Sequence, residues 1–286
     1  MSYQIITDSC CDFTRQGYDQ LGLTSVPLTV TFRGSSYPDK NDETLAELYQ
    51  GLRAGEPAST AAVNPQQWQQ GMEAILKQGQ DVLAICFSSG LSTTYQSAEI
   101  AARELAELYP QRKIRVIDSL SASLGQGLLV YHACKKRDAG MELEELANWV
   151  EENRLHLCHW FTVDDLMYLK RGGRISAATA VMGTMLSIKP VLHMDDEGHL
   201  ISMSKVRGRK AAIQALARKV GELSAGYENP VMFISHGDCI EDANTLADLL
   251  KTQYGVPQVY INYVGAVIGA HSGPGTLSVF FLGSHR

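Results

Sequence analysis

The chain has 286 residues, of which 45% are hydrophobic and 20% are charged, and its formal net charge is −6. A chain of this length is long for one domain and has enough apolar residues for a large core, so two lobes are expected. The acidic balance disfavours sequence-independent nucleic-acid binding, which requires a basic face.

The cysteines and the N-terminal residues indicate which cellular compartment to expect and whether to expect a metal or another cofactor. The six cysteines include the adjacent pair Cys10-Cys11 and no C-x-x-C pair. We therefore expect reduced, mostly buried thiols in a cytoplasmic protein, with neither a metal site nor another cofactor. We expect no signal peptide, because no basic stretch precedes an apolar one at the N-terminus, and no membrane span, because no long apolar run occurs.

The first half of the chain alternates short strands with helices. Strands are predicted at residues 3–6, 23–32, 81–87 and 113–117, where apolar and β-branched residues concentrate. The pattern also predicts helices that begin at Asp42-Glu43 and after Ser88-Ser89-Gly90, a loop over residues 55–65, and helices at residues 66–77, 121–136 and 143–154. Strands joined by helices form parallel sheets, so residues 1–155 are predicted to form an N-terminal parallel-sheet α/β lobe.

The second half has a different character. We predict a strand at residues 159–163, a short helix at 164–169, a basic glycine-containing loop at 170–174 and a β-hairpin from strands at 190–194 and 199–205. A helix at 207–223 follows, and then strands at 231–235 and 258–263 around a helix at 240–253, with an edge or closing strand at 276–282. Residues 156–286 are therefore predicted to form a C-terminal α+β lobe.

The segment from Ser88 to Tyr95 is the first candidate for a binding site. A buried strand is predicted to run into this Ser/Gly/Thr-rich stretch, which opens a helix. Free backbone N–H groups and the helix dipole favour an anion at such a place, and the hydroxyls of Ser92 and Thr93 can add donors. A plain helix cap, which needs only one of these hydroxyls, explains the same residues.

Polar groups in two loops and at two strand ends are further candidates. Ser59-Thr60 offers hydroxyls, although such groups usually face water or cap the next helix. His271-Ser272 precedes a Gly-Pro-Gly turn, where a histidine can donate to an anion or can simply belong to the turn. Asp8 and Asp118 end predicted strands at the edge where open α/β sheets bind ligands, although capping is the commoner role.

Arginines in the second half indicate an anionic partner. Arg174 follows a pair of glycines, and Arg207 and Arg209 lie at the start of a predicted helix, where cations oppose the helix dipole. An anionic partner surface or a phosphate would compensate for this placement. Ordinary solvated surface charge is the alternative.

The order of short motifs along the chain resembles that of the bacterial DegV family. Each block alone is weak, but their order and spacing cover essentially the whole chain. The matching blocks are Ile5-Ile6-Thr7-Asp8-Ser9, Val26-Pro27-Leu28, Ser88-Ser89-Gly90-Leu91-Ser92-Thr93-Thr94-Tyr95, Val116-Ile117-Asp118-Ser119, Gly172-Gly173-Arg174-Ile175-Ser176, Ile188-Lys189-Pro190, Val206-Arg207 and Ala270-His271-Ser272-Gly273-Pro274-Gly275.

The resemblance implies a two-lobe DegV-like fold that holds one long-chain fatty acid between the lobes, without catalytic turnover of its own. It implies a separate fatty acid kinase that phosphorylates the bound acid, no nucleic acid, and at most transient membrane contact. Arg174 and Arg207 would face the kinase or its phosphoryl group. The positions that would meet the carboxylate or lie beside it are Ser59 or Thr60, Ser92, Thr93, His271 and Ser272.

Two departures from the family pattern affect this site. Ser59-Thr60-Ala61-Ala62 replaces the usual Thr-Ser pair before Gln-Pro, so either of two hydroxyls can make the contact. Thr93 stands where the family has glycine, which adds bulk near the carboxylate.

Two other functions stay open. One is a carrier or sensor of another apolar anionic lipid without a kinase partner. The other is a serine hydrolase that uses Ser92, His271 and Asp118, which is disfavoured because no G-x-S-x-G elbow occurs.

Overall fold

The computed structural model of the chain describes residues 2–39, 44–176 and 187–286. Within these ranges the strands are β1 (Tyr3–Asp8), β2 (Thr24–Val26), β3 (Thr29–Phe32), β4 (Ser35–Pro38), β5 (Ala58–Ala61), β6 (Asp81–Cys86), β7 (Ile114–Asp118), β8 (Leu157–Thr162), β9 (Ile188–Met194), β10 (Leu200–Arg207), β11 (Met232–His236), β12 (Val259–Tyr263) and β13 (Leu277–Leu282). The helices are α1 (Arg15–Gln20), α2 (Leu45–Arg53), α3 (Pro65–Leu76), α4 (Thr94–Leu108), α5 (Leu124–Asp138), α6 (Leu143–Asn153), α7 (Leu166–Arg171), α8 (Arg209–Leu223), α9 (Ile240–Tyr254) and α10 (Ala266–Ser272).

The N-terminal half contains the predicted parallel sheet, in the order β2-β1-β6-β7. Strand β6 is buried along its whole length, as expected for an interior parallel strand. Successive side chains of a strand point to opposite faces. Accordingly, Ile6 and Ala84 pack with α3 and α4, while Ile5 and Leu83 pack with α5 and α6. The α/β prediction for this half is confirmed.

Two local predictions in the N-terminal half are wrong. The single strand predicted at residues 23–32 is divided into β2 and β3, which lie in different sheets, because Pro27 cannot donate a ladder hydrogen bond. The loop predicted at residues 55–65 contains β5, which pairs with β3 in an antiparallel sheet of order β4-β3-β5. That pairing joins distant segments, so no local pattern indicates it. The predicted helix start at Asp42-Glu43 lies outside the described residues.

The C-terminal half forms a six-stranded mixed sheet of order β10-β9-β8-β13-β11-β12. The predicted hairpin is present as the antiparallel pair β9 and β10. The prediction that residues 276–282 form an edge or closing strand is wrong, because β13 lies in the interior between β8 and β11. Every residue of β13 is buried, which agrees with the nearly continuous apolar run from Leu277 to Leu282.

Helix α5 connects the two halves of the molecule. Its first seven residues are all buried, and Leu128 belongs to an apolar cluster that includes Leu83 from the parallel sheet and Phe233 and Phe280 from the six-stranded sheet. The two sheets therefore share a core around this helix. A lobe boundary at residues 155 and 156 stays a prediction.

Among the described helices, none is both long and apolar enough to cross a membrane. Five of the six cysteines are buried and Cys239 is partly buried, and all six are free thiols.

Candidate functional site

A cavity of about 420 Å³ lies between the parallel sheet and the six-stranded sheet. Its walls come from the segments that follow β6 and β7, from α10, and from one face of β8, β9 and β13. Open α/β sheets bind ligands beyond the carboxyl ends of their strands, and this volume is typical of small-molecule sites. Much of the wall is apolar and includes Phe87, Leu169, Met194, Leu200, Val267 and Phe280.

Thr60 and His271 form the centre of the cavity's polar end. Thr60 extends from β5, His271 lies in the last turn of α10, and Thr60 Oγ1 is 2.7 Å from His271 Nε2. Burial, with a smaller effect of the nearby Arg174 guanidinium, lowers the pKa of His271 to about 4. The imidazole is therefore neutral near pH 7, and it can exchange hydrogen bonds with a ligand without carrying charge.

Gly172 makes room for this imidazole. A Cβ at residue 172 would lie 2.3 Å from His271 Nδ1, well inside van der Waals contact. The glycine in the sequence Gly172-Gly173-Arg174 therefore sets the position of the histidine ring.

The alternation of β5 separates the two hydroxyls that the sequence offered. Thr60 is half-buried and lines the cavity, whereas Ser59 is exposed and does not line it. Adjacent residues of a strand point to opposite sides, so only one of the two side chains can face the cavity.

Ser92 and Thr93 lie where the chain enters α4, and both line the cavity. Ser92 Oγ is 2.8 Å from Thr94 Oγ1 and accepts a hydrogen bond from Thr94 N–H at 3.2 Å. Ser92 precedes the helix N-cap, Thr93, which makes no side-chain cap hydrogen bond, so the Ser92 hydroxyl holds the turn into α4 and its position on the wall keeps it within reach of a ligand. The backbone N–H groups at this end of the 15-residue helix favour an anion.

Ser272 and Arg174 complete the polar end. Ser272 is 4% exposed, and its Oγ has no hydrogen-bond partner within the described ranges. The Arg174 guanidinium lines the cavity and donates to the carbonyl oxygens of Leu91, at 3.2 and 3.1 Å, and Gly172. A buried hydroxyl without a partner is uncommon and suits a ligand oxygen.

Arg207 lies apart from these residues. The prediction that it begins a helix is wrong: it is the last residue of β10, and α8 begins at Arg209. Gly208 separates the two elements with a φ of 87°, a conformation that favours glycine. The Arg207 side chain is exposed and does not line the cavity, whereas Arg209 forms an ion pair with Asp242 at 2.8 Å.

The two strand-end aspartates hold the loops of the site. The Asp8 carboxylate accepts hydrogen bonds from the Phe87 N–H at 2.7 Å and the Cys10 N–H at 3.0 Å, and burial raises the pKa of Asp8 to about 6. Asp118 accepts from the backbone N–H groups of Ser89 and Leu120. Both residues therefore cap and position the chain.

Ser92, His271 and Asp118 do not form the contacts of a serine hydrolase triad. His271 Nε2 pairs with Thr60, Ser92 Oγ pairs with Thr94, and the Asp118 carboxylate accepts backbone N–H groups. A triad requires the serine to contact the histidine and the histidine to contact the acid.

Sequence analysis missed three polar residues that line the cavity, because they belong to no motif that indicates a site: Ser123, His159 and Ser278. Ser123 lies at the start of α5, and the other two lie on β8 and β13. For His159 and Ser278, the signal in the sequence is a polar residue inside an otherwise apolar strand, which is typical of a strand that lines a cavity.

Comparisons with known proteins agree with this architecture. A family model described as "Uncharacterised protein, DegV family" matches residues 2–284. A DegV domain-containing protein of Clostridium perfringens is 42% identical over 286 residues, which cover 99% of this chain and 98% of that protein.

Solved structures similar to this chain include two proteins that are described by their ligand. A fatty-acid-binding DegV family protein from Thermus thermophilus is 31% identical, with a TM-score of 0.90 over 99% of this chain and 100% of that one. A stearic-acid-binding protein from Eubacterium ventriosum is 25% identical, with a TM-score of 0.88 over 98% of both chains. By the match of the family model over nearly its whole length and by its identity to these relatives, the chain belongs to the DegV family.

Proposed function

We propose that this protein binds one long-chain fatty acid, with the acyl tail in the cavity and the carboxylate at the polar end. The observation that carries the proposal is a cavity with apolar walls and one end formed by hydroxyls, an imidazole and a helix start. Burying a methylene contributes about 0.8 kcal/mol, so a tail of about fourteen methylenes contributes ~11 kcal/mol before ordering costs. Relatives described as fatty-acid-binding proteins support the same ligand class.

The carboxylate is bound by Thr60, Ser92 and Ser272, with the neutral imidazole of His271 beside Thr60. Hydroxyl and N–H donors suit a carboxylate because hydrogen bonds to a charged acceptor are roughly twice as strong as neutral ones. Thr93 borders the same site, and its side chain restricts the space around the carboxylate. Between the two hydroxyls of β5, the burial of Thr60 favours it over Ser59.

The protein presents this carboxylate to a separate fatty acid kinase, which forms the acyl phosphate. Arg174 lines the cavity beside His271, and Arg207 is exposed at the end of β10, so the pair offers cationic groups at the site and on the surface. Arginine suits phosphate because its planar guanidinium donates two parallel hydrogen bonds.

Ligand binding is tested by native mass spectrometry on protein stripped of lipid and then offered a mixture of fatty acids. We expect one equivalent of a long-chain acid in the wild type and loss of binding in Ser92→Ala/His271→Ala. The matched control is Ser59→Ala/His199→Ala, which changes the same residue types at exposed positions outside the cavity. Equal binding by the two variants, or a preference for a lipid that is not a fatty acid, would contradict the proposed ligand.

The kinase step needs a separate assay. A fatty acid kinase of the host, with ATP and the loaded protein, is expected to form an acyl phosphate that hydroxylamine traps as the hydroxamate. Product formation at the same rate without this protein would remove the presenting role and leave a lipid carrier.

A further inference from the structure

Strand β13 runs along the cavity from the polar end to a remote part of the wall. Thr276, Ser278 and Phe280 line the cavity as alternate residues, and the Thr276 hydroxyl donates to the carbonyl of Ser272, at the polar end, at 3.1 Å. Residues of a strand rise about 3.4 Å each, so Phe280 lies about 14 Å along the strand from Thr276. The wall beside Phe280 is therefore remote from the carboxylate site.

The segment that enters α5 closes the cavity at this remote part. A Cβ at Gly125, in the first turn of α5, would lie 2.8 Å from the Phe280 ring. Ala122 and Ser123, which immediately precede α5, both line the cavity. We call residues 119–123, which join β7 to α5, the tail-end loop.

The backbone of the tail-end loop has an unfavourable conformation. Leu120 has a φ of 48° and Ser123 a φ of 56°, in the left-handed region that residues with a Cβ rarely adopt. Such conformations persist only where the surrounding groups fix them. The Ser123 end of the loop is fixed by its hydroxyl, which donates to the Asp12 carboxylate and lies 3.1 Å from Ser235 Oγ.

Arg286 fixes the other end of the tail-end loop. Its guanidinium donates to the Leu120 carbonyl at 2.6 Å and to the Ser121 hydroxyl at 3.2 Å, and it lies 3.5 Å from the Ser119 carbonyl oxygen. A guanidinium has five N–H donors in a rigid plane, so one side chain can hold several acceptors of a loop at once. The strained conformation at Leu120 is therefore held from outside the loop.

The remaining contacts of Arg286 anchor it to other elements. The guanidinium donates to the carbonyl of Arg154, which follows α6, at 2.6 Å, and to the carbonyl of Asp195, in the β9–β10 turn, at 2.9 Å. Arg286 is 5% exposed, so its side chain fills space behind the tail-end loop. Burial lowers the pKa of Arg286 to about 10, so the group is charged at pH 7. Burial of a charge is costly, and an apolar side chain would fill the space without that cost but could not hold the loop.

We propose that Arg286 is a positioning residue that sets the length of the acyl chain that the cavity accepts. It holds the tail-end loop in place, so that the loop is a rigid stop for the methyl end of the tail. A pocket with rigid apolar walls discriminates between chains that differ by one methylene by about tenfold or more. Without the guanidinium, the strained loop relaxes into the space behind it and admits a longer chain. The inference rests on the proposed fatty-acid binding, because it concerns the chain of the same ligand.

The test compares three chain lengths on lipid-free protein by native mass spectrometry. In competition, the wild type is expected to favour palmitic acid over arachidic acid by about tenfold or more, and Arg286→Ala should bring this ratio close to one. Decanoic acid, which is too short to press on the tail-end loop, should bind both proteins with equal affinity. Arg137→Ala is the matched control and should keep the wild-type ratio. This arginine lies in the last turn of α5, donates to the Leu21 carbonyl at 2.9 Å and does not line the cavity.

The outcomes separate this inference from the proposed function. An unchanged ratio in Arg286→Ala, an equal loss of affinity for all three acids, or equal binding of palmitic and arachidic acid by the wild type would overturn the inference alone. If the wild type binds none of the acids, the proposed function fails as well.

A milder variant tests the same loop if Arg286→Ala does not fold. Ser121→Ala removes one acceptor of the guanidinium and keeps the arginine in place. It should lower the preference for palmitic acid by a smaller factor, with decanoic acid binding unchanged. A wild-type ratio in a folded Ser121→Ala, with Arg286→Ala unfolded, would overturn the positioning role.

Discussion

Replacing Gly172 by alanine tests whether the position of the His271 ring determines ligand affinity. Gly172 has a φ of −71°, so alanine adopts its backbone conformation without strain. The added Cβ would lie 2.3 Å from His271 Nδ1, whereas non-bonded atoms are comfortable at about 3.5 Å. The ring must therefore move by roughly 1 Å, and its 2.7 Å contact with Thr60 is broken or lengthened.

The magnitude follows from two effects. Overpacking of this kind costs typically about 1–3 kcal/mol of stability. Displacing the imidazole also removes one hydrogen-bonding group from the polar end, worth about 1.5 kcal/mol to a charged acceptor, which is about tenfold in the dissociation constant of the fatty acid.

The assay is fatty-acid binding by four proteins: wild type, Gly172→Ala, His271→Ala and the double variant. If alanine at residue 172 acts by displacing the imidazole, it should weaken binding about tenfold alone and have little further effect once His271 is alanine. An equal loss of affinity in both backgrounds would refute the reasoning, because the added methyl group would then act on something other than the histidine.

Four other variants test the remaining assignments. Thr60→Ala should weaken fatty-acid binding about tenfold while Ser59→Ala leaves it unchanged, because only Thr60 faces the cavity; the reverse order, measured by titration, would assign the contact to Ser59. Arg174→Ala should retain lipid but lower acyl-phosphate formation at least about tenfold, and loss of lipid would contradict a phosphoryl-facing role. Burial lowers the pKa of His271 from 6.5 to about 4, so the unfolded chain binds a proton that the folded chain excludes, and the free energy of unfolding falls as the pH drops from 6.5 toward 4. Between pH 7 and pH 5, the free energy of unfolding measured in urea should fall by about 2 kcal/mol less for His271→Asn than for the wild type. An unchanged pH dependence would refute the assignment.

Local sequence was sufficient to predict the features that follow from the hydrophobic period and the composition of a single segment. The apolar run from Asp81 to Phe87 predicted a buried parallel strand, found as β6, and the residues after it predicted a helix start that suits an anion, because both features depend on neighbours in the chain. The order of motifs from Ile5 to Gly275 indicated the family, since spacing over a whole chain is more specific than any one block.

Tertiary structure decided the features that depend on distant residues. Strand β5 exists because Thr60 pairs with Val30, which precedes β4 and α2 in the chain, and that register turns Thr60 toward the cavity and Ser59 toward solvent. The pKa of His271 is low because the fold buries it beside Arg174. His159 and Ser278 share one wall because β8 and β13 are adjacent although more than 100 residues separate them in the chain. A pattern within one segment cannot encode which segment lies beside it, since strand pairing and burial are set by packing across the whole chain.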